Sequence, residues 1–216
     1  MRLVLLGPPG AGKGTLCRKL KENFDLLHIS TGDLLREEMK NKTNIGVEIK
    51  EVMDSGNLVS DKMVSQIVRE HLVSAKRDNM SFLLDGFPRT KHQAIELENI
   101  LKEINAPLDL VLFLESTPGL IIKRLTGRRV CQNCRAIFHI KNRPPRVEGI
   151  CDYCGEANLV QRKDDTEETI LHRMSVYIDT INPLLNYYDE QQLVKRVDSD
   201  RNPEDVQEDL LKFINE

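Results

Sequence analysis

The stretch that decides the fold is VLLGPPGAGKGTLCRKL, Val4 to Leu20. Its apolar start, closing on Gly7, reads as a buried strand, and the run from Lys13 reads as a helix. Between them Gly7, Gly12 and Lys13 satisfy the phosphate-binding pattern G-x-x-x-x-G-K. A strand before and a helix after are the context this pattern requires. Glycines let the backbone wrap a phosphate so that successive N–H groups point inward, the helix start adds positive potential, and Lys13 brings a point charge to the terminal phosphates. Nucleoside triphosphate binding follows as the working assumption. One position departs from the common form: where a Ser or Thr usually offers magnesium a hydroxyl, the chain has Gly14, with Thr15 one later. Either Thr15 takes over, or magnesium is held mainly by the phosphates and water, as this reluctantly dehydrating ion permits.

Working outward, further apolar runs bounded by turn residues recur at 26–30, 82–86, 110–115 and 193–197, beside the first at 3–7. They are nearly continuous rather than alternating, which suits strands covered on both faces. Helical patterns fall between them, at 13–23, 32–40, 61–76, 90–104, 117–126, 166–189 and 203–214. This alternation predicts an α/β fold, a P-loop doubly wound five-stranded parallel sheet flanked by helices. Ser60, Thr90 and Asn202 stand where N-caps belong, the last followed by Pro203. "MSVYIDTINPLLNYY" reads as a core helix bent near Pro183.

The chain of 216 residues is long enough for one domain carrying a small insertion. A net charge of -3, with 30% charged and 40% hydrophobic residues, is ordinary for a globular protein and lacks the basic footprint of a nucleic-acid binder. The N-terminal apolar run is too short for a signal peptide or a membrane span, so a cytoplasmic protein with no membrane partner is expected.

One segment, Val130 to Gln161, breaks the pattern, with four cysteines, prolines at 144 and 145 and no sustained apolar periodicity. Cys131-x2-Cys134, sixteen residues, then Cys151-x2-Cys154 falls within the spacing of a four-cysteine zinc site. Such a site is closed by its thiolates and therefore structural, replacing a core too small to fold alone. Gly155 suits a tight turn after the second pair, whereas CQNC has no glycine after it. Disulfide pairs and bound iron are the alternatives.

Three motifs, "GPPGAGKGT" (7–15), "STGDLLR" (30–36) and "DGFPRT" (85–90), together with "LTGRRVC" (125–131), "QRKDDTEET" (161–169) and "NPLLNYY" (182–188), resemble those of adenylate kinases, in the family's order. G-K-G-T is that family's own form of the loop, so Gly14 is expected there. The resemblance implies transfer of a phosphoryl group from Mg-ATP to AMP, giving two ADP. It assigns Gly10, Ala11, Gly12, Lys13, Gly14 and Thr15 to the ATP phosphate cradle, Arg124 and Arg128 to the ATP-facing arginines, and Arg201 to a backbone contact with the adenine. Thr31, Arg36, Gly86, Phe87, Pro88, Arg89 and Gln93 match the AMP site, Gln93 reading the base and Arg36 and Arg89 gripping the phosphate. Asn57, Leu58 and Val59 match the mobile region along the base, and Arg162 and Arg173 the pair that closes on both phosphate chains. Lys13, Arg89, Arg128, Arg162 and Arg173 are then the catalytic set. Asp85, ending its strand, is placed to steer magnesium through water.

The residues support this independently. Bringing two phosphate chains together needs fixed cations, and Arg36, Arg89, Arg124, Arg128, Arg129, Arg162 and Arg173 lie in or beside these motifs. The attacking phosphate oxygen is already ionised, so no general base is required; positioning and exclusion of water remain, which predicts a closing lid. The expected division is a core at 1–29, 61–127 and 163–216, an AMP-binding region at 30–60 and a zinc-bearing lid at 128–162. The chain is expected to act as a monomer on ATP, AMP and ADP, without nucleic acid. A kinase for UMP, CMP or GMP is the near alternative, and a zinc-containing ATP-dependent nucleic-acid binder the distant one. Cys17 reads as a core residue, and His28, His71, His92, His139 and His172 as scattered residues that form no ligand cluster.

Overall fold

The computed structural model describes residues 1–41, 44–74 and 80–215. The large sheet contains β1 (Arg2–Leu6), β2 (Leu27–Ser30), β3 (Phe82–Asp85), β4 (Leu110–Glu115) and, last in the chain, a strand over Val194–Asp198. The helices before the insertion are α1 (Lys13–Asn23), α2 (Thr31–Asn41), α3 (Asn44–Asp54), α4 (Asp61–Ser74), α5 (Lys91–Glu103) and α6 (Pro118–Thr126). The insertion supplies β5 (Arg128–Cys131), β6 (Ile137–His139) and β7 (Leu159–Val160), so the Val194–Asp198 strand is β8. Two more helices, α7 (Glu167–Asp189) and α8 (Pro203–Asn215), complete the chain.

All pairings in the large sheet are parallel, in the order β2-β3-β1-β4-β8. Both faces are apolar, which explains the continuous runs. Val4, Leu6, Leu84, Val111 and Phe113 point to the face covered by α4, α5 and α7. Leu3, Leu5, Leu83, Leu112 and Leu114 point to the face covered by α1 and α8. β1 is central, with β3 and β4 on either side. The loop after it therefore opens at the carboxyl end of the sheet, in the crevice where such folds bind ligands.

The expected elements lie within two residues of those observed wherever the chain is described; residues 42–43, 75–79 and 216, and with them the end of the 61–76 helix, lie outside the described residues. Thr90 caps α5 by accepting from the Gln93 N–H at 3.1 Å, and Asn202 accepts from Glu204 N–H at 3.1 Å. α7 continues through Pro183. Two features go beyond the sequence reading. The region 30–60 contains a second helix, α3, packed on α2. The insertion forms a three-stranded antiparallel sheet, β6-β5-β7, around a buried cluster of Cys131, Ala136, Phe138 and Cys151.

Candidate active site

Gly7 turns the chain out of β1 with φ +146°, and a Cβ there would lie 2.7 Å from the Leu114 carbonyl oxygen of β4. Gly12, at φ 95°, starts α1 without a side-chain cap. The helix entrance is thus left to backbone N–H groups, as anion binding requires. The Lys13 ammonium folds back to donate to the carbonyls of Gly7 and Pro8, at 2.7 and 2.9 Å. At Gly14 a Cβ would meet only Ile137 Cδ1 of the insertion, at 2.9 Å, the end of a side chain that can turn aside, so the contact shows that the insertion lies against the loop here.

The loop forms one wall of a cleft of about 1190 Å³. Gly10, Ala11, Gly12, Lys13, Gly14 and Thr15 line it, as do Arg36, Arg89, Arg124, Arg128, Arg162 and Arg173. Residues about 150 positions apart in sequence thereby face one space. Several of these cations rest on carboxylates to which the sequence reading gave no role. Arg128 makes a two-pronged pair with the fully buried Asp165, at 2.8 and 2.5 Å. Arg173 pairs with Asp164 at 2.7 Å, and Arg36 with Asp33 at 2.8 Å, with Arg162 4.0 Å from the same Asp33 carboxylate. Burial works to raise Asp164, but Arg173, Arg128 and Arg162 more than offset it and hold it below the usual carboxylate range. Asp33 is lowered in the same way against its own burial, chiefly by Arg36. Each arginine thus has a fixed resting position from which a phosphate oxygen can draw it.

Burial and the neighbouring guanidiniums lower Arg89 to about 10 and Arg162 to about 9, values at which both stay charged at neutral pH. Arg89 donates through Nε to the Gly86 carbonyl at 2.9 Å while solvent still reaches its tip. Arg124 donates to the Ser199 carbonyl at 2.8 Å. Arg129 instead turns to its own backbone, donating to the Arg128 carbonyl at 2.7 Å, and stays out of the cleft wall.

Asn57, Leu58, Val59, Gly86 and Pro88, which the resemblance assigns to AMP, also line the cleft. Thr31, Phe87 and Gln93 stand behind this wall. Thr31 donates to the Gly86 carbonyl at 2.8 Å. Gln93 is 1% exposed, donates to Asp61 at 2.7 Å and accepts from the Arg89 N–H at 2.7 Å. It therefore braces the turn that carries Arg89. Asp85 reaches the cleft at the end of β3, and Arg201 does so at the far rim, its side chain held by Asp209.

In the insertion the four cysteine sulfurs lie within 4.8 Å of one another. Cys131 and Cys154 are 3.6 Å apart, and Cys134 and Cys151 3.5 Å. These separations are far from the 2.05 Å of a disulfide and close to the roughly 3.8 Å edge of a tetrahedron with bonds of about 2.3 Å. The set can hold a metal ion. Each pair forms the same turn, Arg135 N–H donating to the Cys131 carbonyl at 3.1 Å and Gly155 N–H to that of Cys151 at 2.9 Å. Arg135 takes φ 62° where Gly155 has 76°, so the first turn does without the expected glycine.

One expectation is overturned. His28 is not isolated: its ring, Cys17 Sγ and the Asp85 carboxylate lie within 4.8 Å of one another beside the phosphate loop.

A family profile described as adenylate kinase matches residues 5–193. The chain belongs to the adenylate kinase family. Among its relatives, the adenylate kinase of Lactiplantibacillus plantarum is 44% identical over 215 residues, covering 100% of this chain and 98% of that protein. That of Clostridium botulinum strain Loch Maree is 47% identical over 206 residues, 95% and 94% of the two chains. That of Caldicellulosiruptor bescii is 46% identical over 214 residues, 99% of each. The protein is an adenylate kinase, transferring a phosphoryl group reversibly between ATP and AMP to give two ADP. No helix among the described residues is long and apolar enough to cross a membrane.

The kinase's loop lysine has a pH signature. Burial pushes Lys13 down to about 8; Asp85 and Cys17 pull it up, while Arg89 and Arg173 press it further down. Triphosphate bound beside it raises its pKa, so above about pH 8 binding must take up a proton. Affinity for Mg-ATP is expected to be flat below that pH and to fall above it by up to about tenfold per pH unit. Calorimetry in buffers of different ionisation enthalpy checks this, showing proton uptake at pH 8.5 and little at pH 6.5.

Proposed function

We propose that transfer proceeds by positioning and charge neutralisation, with ATP on the Gly10 to Thr15 loop and AMP between Arg36, Arg89 and the Asn57 to Val59 wall. The observation that carries this reading is the convergence of Lys13 and the arginines from both ends of the chain on one cleft beside a helix N-terminus. Lys13, Arg89, Arg128, Arg162 and Arg173 neutralise charge as the phosphoryl group moves between the two chains. The carboxylates Asp33, Asp164 and Asp165 keep those arginines apart and oriented until nucleotide replaces them. Arg124 and Arg201 flank the donor nucleotide, the latter through its backbone.

Asp85, with 14% of its side chain exposed, and Thr15 both line the cleft and are the residues that would hold magnesium through water. Magnesium arriving with ATP bridges and neutralises phosphate oxygens. Zinc is the ion we assign to Cys131, Cys134, Cys151 and Cys154, since four thiolates at tetrahedral separations suit it. There it has a structural task, holding the sheet that brings Ile137 onto the loop. We divide the chain into a core at 1–29, 61–127 and 163–216, a mobile acceptor region at 30–60 and a lid at 128–162 that excludes water, the competing acceptor. We propose that the chain works as a monomer in the cytoplasm.

We keep Thr31 and Gln93 as the residues that favour adenine, although in this structure the Gln93 amide is held by Asp61 and the Arg89 N–H and must release them to read a base. In a coupled assay of ADP formation from Mg-ATP, AMP is expected to be used at least about a hundredfold more efficiently than GMP, CMP or UMP. Equal use of another monophosphate would overturn the acceptor assignment, and transfer to none of them the arrangement as a whole.

A further inference from the structure

His28 and Asp85 stand on neighbouring parallel strands whose register pairs His28 with Leu83 and Ser30 with Asp85. A two-residue offset places both side chains on the same face of the sheet. That is the face where Leu83 packs against α1, and Cys17 is the buried α1 residue above them. Thiol, imidazole and carboxylate thus come from three separate elements to within 4.8 Å of one another. His28 Nε2 is 4.0 Å from Asp85 Oδ2 and is buried without a hydrogen-bond partner. A buried ring nitrogen left unpaired is costly unless it has a use.

We propose that Cys17, His28 and Asp85 form a second metal site, distinct from the four-cysteine centre, which takes a borderline-soft divalent cation such as zinc and inhibits phosphoryl transfer. The donor set selects against magnesium, because a thiolate and an imidazole suit zinc, cobalt and cadmium while magnesium keeps to oxygen ligands. A tetrahedral ion with bonds of about 2.0 to 2.3 Å holds its donors about 3.3 to 3.8 Å apart, so roughly an ångström of side-chain rotation closes the set. His28 and Asp85 line the cleft, giving the ion a way in from the nucleotide side, with Cys17 behind them. As the metal–sulfur bond forms, the Cys17 proton leaves to solvent. A fourth position stays open toward the cleft for water. Inhibition follows because the Asp85 carboxylate, once bound to this ion, is withdrawn from the magnesium of ATP. This last step rests on the role given to Asp85 above.

The test uses the full-length protein with its four-cysteine centre loaded. Native mass spectrometry with cadmium or zinc added at controlled free concentration is expected to show one further ion in the wild type. Cys17→Ser and His28→Gln are expected to lose it while keeping the first ion, and at fixed Mg-ATP and AMP each should need at least about tenfold more free zinc for half inhibition. Thermal melting of both variants without added metal verifies that they are folded. No second ion in the wild type overturns the site, and so does a second ion that both variants retain. A second ion lost in both variants, but without inhibition of the wild type, would overturn the inhibitory role and count against Asp85 as the magnesium-steering carboxylate. A kinase with its four-cysteine centre loaded that is inactive toward AMP before any further metal is added would instead count against the proposed function, leaving the ion count to decide the site by itself.

Discussion

Lys13→Met is expected to lower turnover by about two to three orders of magnitude while the protein melts within a few degrees of the wild type. The size follows from removing one preorganised cation aimed at phosphate charge in a cleft with restricted water, where a single donor is typically worth about 3 to 4 kcal/mol of barrier. The fold should survive because Met keeps the length and most of the apolar stem, and only the bonds to the Gly7 and Pro8 carbonyls are lost. Those carbonyls belong to the open loop and can turn to water. Arg89→Ala should cost a comparable factor. Arg89 and Arg173 both press on Lys13, and Arg89 follows the Gly86 turn at the cleft wall, where we propose that donor and acceptor phosphates meet. The two variants should differ in their split. Lys13→Met should weaken ATP more than AMP, whereas Arg89→Ala should raise the KM for AMP as well as lowering kcat. Steady-state kinetics with each nucleotide varied in turn measures this, and turnover near the wild-type value in either variant would remove that residue from the catalytic set.

The cleft was more legible in the sequence than the way it is balanced. Gly7 to Thr15 could be read because glycine positions and the flanking apolar runs are local signals. The arginines could be read because each sits in or beside a short motif. Asp33, Asp164 and Asp165 were in plain view within those same motifs. Asp33 and Arg36 are an i,i+3 pair on α2 that helical spacing alone could have shown, whereas the pairing of Asp164 with Arg173 and of Asp165 with Arg128 depends on how the loop before α7, α7 itself and β5 face one another, which no local pattern reports. The Cys17, His28 and Asp85 group was illegible for the same reason. Its members meet through the β2 to β3 register and the packing of α1, not through spacing.

Local signals also failed in two places. α3 carries Ile49, Val52 and Met53 at helical spacing, but Gly46 near its start reads as a breaker. The structure gives that glycine a packing reason: a Cβ there would lie 2.2 Å from the Glu38 carbonyl oxygen of α2, so its absence lets two helices approach closely. Strands β5, β6 and β7 are four, three and two residues long, too short for alternation to show. What the sequence did show there was the ligand spacing, because metal ligands are set by local turns even when the surrounding sheet is not.

That small sheet underlies the other large effect. Its buried cluster consists of Cys131, Ala136, Phe138 and Cys151, two of which are proposed ligands, with the partly buried Cys154 and Leu159 packed against it and the Tyr153 ring 6.0 Å from that of Phe138. A segment of this size does not reach the roughly 40 residues below which a domain needs a metal, a disulfide or a partner to hold its shape. Structural zinc sites contribute on the order of 10 kcal/mol of apparent binding free energy, most of it realised as folding of the segment around the metal. Removing the ion should therefore unfold the lid before the core. The five-stranded sheet β2-β3-β1-β4-β8, with its two apolar faces, has its own core. Calorimetry is expected to show the transition broadening or splitting, with the core transition moving down by about 10 °C, which at about 2 to 4 °C per kcal/mol corresponds to the core losing about 3 to 5 kcal/mol of that binding free energy while the rest is lost with the lid itself. Activity at moderate temperature should fall as well, because the lid carries Ile137 onto Gly14 and Arg128 onto Asp165. Re-adding zinc should restore both, and Cys134→Ser with Cys154→Ser should reproduce the loss without a chelator. If the metal is shown by elemental analysis to have left and the melting curve does not move, the cysteine centre is not what holds the lid together.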